Sequence, residues 1–441
     1  MPVYIAVQAL FDGIGSIPYA WTLIKTLPWL AVLYLLKRYF GGAINTSERV
    51  MHSKVIMITG GTTGIGAQVA RDLAIRGAQI ILLTQHELSD PFLADYIDDL
   101  RKTTNNNLIT AEHVDLASLH SIRKFATKWV DNAPPRRLDM IILCANTFTP
   151  SGAQARITED GLEESWGVNY MANFHLLSIL SPALRAQPPD RDVRIVFSTC
   201  SSYMGGQLPD LPTAGGDKEK KASRSKAKKA GQPKQVLEWN ASSADATSKL
   251  ATMVFASAFQ KHLSAYNRPD KLPMNSRVFI VDPGWTRTPG MRRYLTFGSL
   301  WGLALYLIMW PFWWLVLKSP IQGAQTYIWA AMDSQLGRAE GGKFLKECRE
   351  VRFMRGEIED EKVQKNLWEA SEKTIEELEK KSALERAKQK KKDEDAEKAK
   401  KQAAELAALD DLVKKAKAAK EQQESKTEKQ SGPKRGKKSE K

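Results

Sequence analysis

Residues 59–66, Thr-Gly-Gly-Thr-Thr-Gly-Ile-Gly, constrain this chain more than any other segment. They close a short β-rich run, VIMIT from Val55, and lead into a helical period, AQVARDLAIRG, so the glycines sit where a strand turns into a helix. A glycine-rich turn there lets backbone amides approach a pyrophosphate, and the helix N-terminus behind it favours an anion. A turn that merely closes a strand–helix unit has the same composition, so its surroundings decide. Further β-rich runs come at Gln79 (QIILLT), Asp139 (DMIILCA), Arg194 (RIVFST) and Arg277 (RVFIVDP), with helical stretches between them. Strands separated by helices form parallel βαβ units, which predicts an α/β, doubly wound parallel sheet. Asp115, at the end of another strand run (TAEHVDL), strengthens the case for dinucleotide binding.

The 441 residues allow two or three units, and the 43% hydrophobic content excludes a wholly disordered chain. Cys144, Cys200 and Cys348 are odd in number and far apart. They form neither a disulfide framework nor a metal site, and they fit a reducing, cytosol-facing environment. The formal charge of +15 suggests nucleic acid until it is located. Residues 217–234 and 371–441 each carry +6, which leaves +3 on the rest, so no nucleic-acid partner is expected.

Composition divides the chain into 1–50, 51–355 and 356–441. In the first part, Ile17–Leu36 has about the length of a bilayer crossing, although Pro18, Lys25 and Pro28 interrupt it. We read it as a membrane anchor, with an apolar helix packed on the body as the alternative; Lys37, Arg38, Arg49 and Lys54 behind it place the body in the cytosol. Within 51–355, residues 207–240 are rich in Lys, Ser, Ala and Gly and read as a disordered insertion. Residues 294–317 contain no charge. A full crossing would put the residues after Lys318 on the opposite side of a membrane from the sheet, so a surface-lying or re-entrant element is expected, bent at Pro311, or an oily flap over a substrate cleft. The tail has high helix propensity and many i,i+4 opposite charges, but too few apolar residues for a heptad seam, which predicts a solvated helix with a disordered end.

Several motifs stand in a fixed order: TGGTTGIG at 59, DLASLHSIRKFA at 115, LDMIILCAN at 138, DGLEESWGVNYMANFHLL at 160, SKLATMVFASAF at 248, DPGWTRT at 282 and KSPIQGAQT at 318. With them the chain resembles the short-chain dehydrogenase/reductase family, in its retinol dehydrogenase-like branch, from about Ser53 to Phe353. The resemblance implies a Rossmann-type domain that binds NADP or NAD and transfers hydride between nicotinamide and an alcohol or carbonyl carbon. It further implies a tyrosine proton donor, a lysine four residues later, an oxyanion-steadying serine and a helical asparagine. Asn169 and Lys249 match the asparagine and the lysine. At the tyrosine position this chain has Asp245, and at the serine position Cys200, beside Thr199, Ser201 and Ser202. The turn Leu143-Cys144-Ala145-Asn146 keeps only the alanine of the family's Asn-Asn-Ala-Gly. Cofactor contacts are implied for Thr59, Gly60, Gly64, Ile65, Gly66, Asp115 and Lys249, and for Pro283, Gly284 and Thr288 after the last long strand.

A carboxylate beside a lysine is expected to stay ionised, unable to donate a proton but available as a weak base, unless burial raises its pKa. Asp245 and Lys249 could equally form only an i,i+4 salt bridge, and Cys200 reads as a small buried residue rather than a nucleophile. Tyr203 is the nearest substitute hydroxyl. Gln85 comes after the second strand run, where an arginine would select NADP and an acid NAD; Glu87 could reach the adenosine ribose or be a solvated carboxylate. Two readings result. One is a membrane-associated oxidoreductase of a lipophilic substrate such as a retinoid, steroid or long-chain compound, in contact with membrane lipid, on the endoplasmic reticulum or a lipid droplet, with the mitochondrial outer membrane as a further site. The other is a catalytically silenced NAD(P)-binding scaffold. A homodimer, paired through helices next to the lysine helix, is in keeping with the resemblance.

Overall fold

In the computed structural model, residues 19–150, 153–209 and 240–430 are described. The expected disordered insertion, 207–240, falls outside them except at its edges, as do the first residues of the expected anchor and the end of the tail.

The apolar runs become strands where both faces can be buried. In order they are β1 (Val55–Thr59), β2 (Gln79–Thr84), β3 (Ile109–His113), β4 (Met140–Leu143), β5 (Val193–Ser198), β6 (Ser276–Asp282), β7 (Lys343–Lys346) and β8 (Arg349–Val351). The sheet order is β3-β2-β1-β4-β5-β6-β7-β8, parallel throughout except for the antiparallel β7–β8 edge. Met57 pairs with Ile81 on one side and Ile141 on the other, so β1 and β4 are neighbours although two strands separate them in sequence. Strand order reverses there, and in such sheets ligands bind outside the carboxyl ends of the strands at that point.

Helices cover both faces, as an all-parallel sheet requires. On one face, α2 (Gly64–Ile75) and α11 (Pro320–Met332) bury Val69, Leu73, Tyr327 and Ile328 against Ile56, Ile58, Val196 and Phe279. The α3 helix (Pro91–Thr104) comes after β2. On the other face lie α4 (Leu119–Val130), α6 (Ala172–Arg185) and α7 (Ala241–Ser264), where Phe197 of β5 meets Phe255 of α7 with ring centroids 5.9 Å apart. A short α5 (Glu164–Trp166) and one π-helical turn, Gly167–Met171, lead into α6.

The uncharged stretch 294–317 is broken into pieces. The α8 helix (Pro289–Thr296) is succeeded by α9 (Leu300–Ile308) and α10 (Trp310–Val316), with Pro311 in the first turn of α10, where its missing N–H costs nothing. The α1 helix (Ala20–Gly41) lies against α10: Lys37 Nζ donates to the carbonyl oxygens of Trp314 and Leu317, and it stands 4.8 Å from the Trp314 ring centroid. Among the described residues no helix is long and apolar enough to cross a membrane. The expected N-terminal span is therefore corrected. Lys25, Thr22 and Thr26 dilute its apolar run, and the helix continues into Lys37 and Arg38.

The last helix, α12, runs from Glu361 to Gln430. Its composition predicts a helix solvated throughout, and its beginning is not. Residues to Glu376 belong to the compact body, with Leu367, Ser371 and Ile375 buried. From Glu377 onward a second unit holds charged pairs such as Glu397–Lys401 at 2.8 Å, within one helix.

Candidate functional site

The glycine corner is held by contacts that a side chain would prevent. Thr59 Oγ1 accepts the Ala145 N–H at 3.2 Å, tying the ends of β1 and β4 together. Gly60 has φ +65°, and a Cβ on it would stand 2.8 Å from the Ala145 backbone. A Cβ on Gly66 would stand 2.3 Å from the Gly60 carbonyl oxygen, so α2 starts as close to the strand end as backbone allows. Thr63, the N-cap of α2, makes no side-chain cap, which leaves the first amides of the helix directed at the crevice with the positive end of its dipole. This corner fits a dinucleotide pyrophosphate: the glycines let the strand end, the Ala145 turn and the helix start close together, and the donors are helix-end amides.

The turn after β6 closes on the same corner. A Cβ on Gly64 would lie 3.5 Å from Thr288 Cγ2, and Thr288 Oγ1 caps α8 by accepting the Met291 N–H at 3.2 Å. Gly284, at φ +76°, sits over Lys318, whose ammonium donates to the Pro283 carbonyl at 3.3 Å and pairs with Glu347. Asp115, just beyond β3, accepts the Ala117 N–H at 2.9 Å. Gln85 and Glu87 are exposed after β2, and Glu87 accepts a hydrogen bond from Ser89 at 3.3 Å.

The other half of the site lies where the π-turn meets α7. Asn169 in the π-turn accepts the Thr147 N–H at 2.8 Å and donates to the Thr147 carbonyl at 3.0 Å and to Ser248 Oγ at 3.2 Å. The Asn169 carbonyl accepts from the Thr252 hydroxyl at 3.1 Å and the Asn173 side-chain amide at 2.8 Å. Ser248 stands between Asp245 and Lys249 on α7, and all three are buried.

Asp245 and Lys249 do not close into an ion pair at 4.0 Å, so the expected salt bridge is not formed among the described residues. Ser202 Oγ donates to Asp245 Oδ2 at 3.1 Å, while Oδ1 is buried without a hydrogen-bond partner among the described residues. Burial pushes the Asp245 carboxyl above the ordinary carboxylate range. Lys249 and the Ser202 hydrogen bond pull it back, and the nearby Glu163 pushes it further up. Burial thus acts on Asp245 in the direction that the sequence left open, against a lysine that stays beyond ion-pair distance. Cys200 Sγ lies 2.9 Å from Ser202 Oγ, and burial above all raises its thiol, which keeps it protonated. Burial likewise pushes Cys144, at the end of β4, to about 12.

Tyr203 is engaged elsewhere. It is buried with its ring edge-on to Phe344, and its hydroxyl accepts the Met354 N–H at 3.4 Å. Among the described residues no His, Cys, Asp and Glu cluster can hold a metal ion. A cavity lined by Leu88, Leu93, Ile97 and Ala111 lies against α3 and contains none of these residues. The sequence did not single out Ser248, although it directly precedes Lys249, nor Thr147, nor Glu163. Thr147 and Glu163 lie in irregular segments with no period to mark them.

Comparison with known proteins agrees with this arrangement. The pattern of the short chain dehydrogenase family matches residues 54–207. An uncharacterized oxidoreductase, pbr1, of Schizosaccharomyces pombe is 40% identical over 82% of this chain and 92% of its own length. Retinol dehydrogenase 13 of Mus musculus is 30% identical over 77% of this chain and 89% of its own. Among solved structures, a putative uncharacterized protein of Mycobacterium paratuberculosis superposes with a TM-score of 0.51 at 20% identity, covering 76% of this chain and 98% of that one, a likeness of fold.

Proposed function

The chain belongs to the short chain dehydrogenase family of NAD(P)-dependent oxidoreductases, and from that premise we propose that it interconverts a lipophilic alcohol and its carbonyl at a membrane surface, with Asp245 in the place of the family's tyrosine. Reduced nicotinamide nucleotide, NADPH or NADH, would be the hydride donor to the carbonyl carbon, and its oxidised form the acceptor from the alcohol carbon. Gly60, Gly64, Ile65 and Gly66 would hold the pyrophosphate, with Thr59 fixing the corner. Asp115 would hold the nucleoside half, Lys249 the ribose, and Pro283, Gly284 and Thr288 the nicotinamide end.

The observation that carries the reading is the buried Asp245 carboxyl with its raised pKa. A carboxyl whose pKa is raised by burial is a better proton donor than a solvated aspartate. In reduction its O–H proton passes to the carbonyl oxygen as hydride reaches carbon. The carboxylate left behind is stabilised by Ser202 and Lys249 and regains a proton from solvent. Asn169 ties Thr147 to Ser248, which stands between Asp245 and Lys249 on α7.

The substrate class rests on the surface beside the Pro283–Thr288 turn. Leu300, Trp301 and Ile308 of the α9 helix are 85%, 86% and 76% exposed, and Trp21 and Trp29 of α1 are 66% and 76% exposed. Lys25, Arg38, Arg292 and Arg293 are exposed on α1 and α8, a composition that suits an anionic lipid surface on which α1, α9 and α10 lie without crossing. A cytosol-facing endoplasmic reticulum or lipid-droplet surface would present both the lipid and the substrate.

The test is turnover of a panel of long-chain and isoprenoid aldehydes in vesicles with NADPH or NADH. Turnover that disappears in Lys249→Ala supports the reading. The aspartate itself favours a second reading, a nucleotide-binding scaffold without chemistry. Cofactor binding without turnover, together with gained activity in Asp245→Tyr, would establish that alternative.

A further inference from the structure

The two helices that carry Asn169, Asp245 and Lys249 are packed on their far side by the start of the C-terminal helix. Trp368 of α12 stacks on Phe259 with ring centroids 6.4 Å apart, stands edge-on to Phe174 at 5.3 Å and meets Phe255 at 5.6 Å, so one ring fills the seam between α6 and α7. Ser371, one turn further along, lies 2.6 Å from the hydroxyl of Tyr170, and both groups are buried. Tyr170 is the residue next to Asn169 within the π-turn. Gln364 Nε2 donates to Ser257 Oγ at 3.1 Å and to the Ile358 carbonyl at 2.7 Å, which fixes the same helix to α7 from its N-terminal end.

We propose that residues 361–376 of the tail are a positioning element of the active site, in which Ser371 and Trp368 hold the π-turn in the register that aims Asn169 at Thr147 and Ser248. The physical case is one of alternatives. A π-turn inserts one residue into a helix and relaxes to ordinary α-helix unless its surroundings fix it. Relaxation would rotate every side chain from Gly167 to Met171 by about 100°, one residue's share of a 3.6-residue turn, and carry Asn169 away from Ser248. Tyr170 resists that rotation because its ring is enclosed by Trp166 at 4.8 Å and Phe255 at 6.3 Å, and its hydroxyl is held by Ser371. Burial of both oxygens makes the alternative costly, since either hydroxyl would lose its partner away from water.

The inference rests on the oxidoreductase reading for its catalytic consequence, and two measurements on the full-length chain separate the two claims. Amide hydrogen exchange over Gly167–Asn173 reads the clamp without any substrate. In Ser371→Ala and Trp368→Ala, exchange there is expected to quicken at least tenfold, with β1 and α2 unchanged. In the turnover assay, kcat is expected to fall about tenfold in Ser371→Ala while KM and the NADPH dissociation constant stay within twofold, and Ser371→Thr is expected to restore it. Unchanged exchange over Gly167–Asn173 in Ser371→Ala overturns the proposal, whatever the kinetics show. Quickened exchange with an unchanged kcat overturns the positioning role. A wild type without turnover defeats the oxidoreductase reading, and the exchange result then decides the clamp alone.

Discussion

Replacing Gly66 with alanine tests the cofactor corner at the point where the geometry leaves least room. The new Cβ would meet the Gly60 carbonyl oxygen at 2.3 Å, against an ordinary contact of 3.4 Å or more, and the atom it meets is backbone. Neither partner has a rotamer to change, so the start of α2 must move away from the β1 end by roughly 1 Å, a misplacement that can cost about 10²-fold in a positioned site. The affected amides are those that hold the pyrophosphate, so NADPH affinity should fall by about that factor, or about 2.7 kcal/mol. Gly61 supplies the control. Its added Cβ would meet the Leu82 Cδ2 methyl at 2.6 Å, the end of a side chain that can turn aside, so Gly61→Ala should lose less than tenfold. Fluorescence titration with NADPH and a thermal melt on each variant provide the comparison. Wild-type affinity in a folded Gly66→Ala protein would refute the assignment of this corner to the pyrophosphate.

In the proposed reduction the rate needs protonated Asp245, so it should decline as pH rises through the raised pKa; Asp245→Asn should remove that limb and lower kcat by about 10²-fold or more. The same shift has a stability sign: its contribution is fully present below the ordinary aspartate pKa and is lost as pH rises through the folded value, so at neutral pH Asp245→Asn should melt no lower than wild type. Flotation with anionic vesicles should retain the wild-type chain and lose the double variant Trp301→Asp/Ile308→Asp, with NADPH affinity unchanged; equal retention would reject the α9 surface. Arg194 is wholly buried at the start of β5, donating to Asp192 at 2.6 Å and to the carbonyls of Ala330 and Asp333 at 2.8 and 2.7 Å. Arg194→Ala should cost about 3 kcal/mol, because it removes the side-chain donor to the Ala330 and Asp333 carbonyls and leaves Asp192 to Arg49 and Arg277, while cofactor binding at the opposite strand ends persists in the folded fraction.

The central strands were legible because their chemistry is local. Val, Ile and Leu in runs of four to seven can be nothing else in a sheet covered on both faces, and the corner at Thr59–Gly66 announces itself by composition. The edge was not legible. KFLK and REV, the β7–β8 hairpin, are short and half polar, and they pair only because β6 offers an open side. The contact between Ser202 and Asp245 joins residues 43 apart across an insertion, a distance no periodicity measures. In the tail, Leu367, Ser371 and Ile375 recur at every fourth position, with Trp368 beside them; that stripe is too narrow for a coiled coil, yet sufficient for one helix entering one aromatic seam. The N-terminal apolar run misled in the other direction. Its length suggested a crossing, while its polar residues and its contact with α10 make it part of a surface.

In the proposed reading a carboxyl stands where the family has a phenol, and this changes what the neighbouring lysine does. A tyrosine starts near 10 and must be brought down toward neutrality, so a close cation helps it donate. An aspartate starts near 3.9 and must be brought up, so the same cation opposes proton donation. The site at α7 is arranged as that reversal demands. Lys249 stays outside ion-pair distance, Asp245 is buried, one of its oxygens goes without a partner among the described residues, and Glu163 adds a like charge nearby. An unpartnered buried oxygen costs stability, and it persists where the surrounding structure over-determines it.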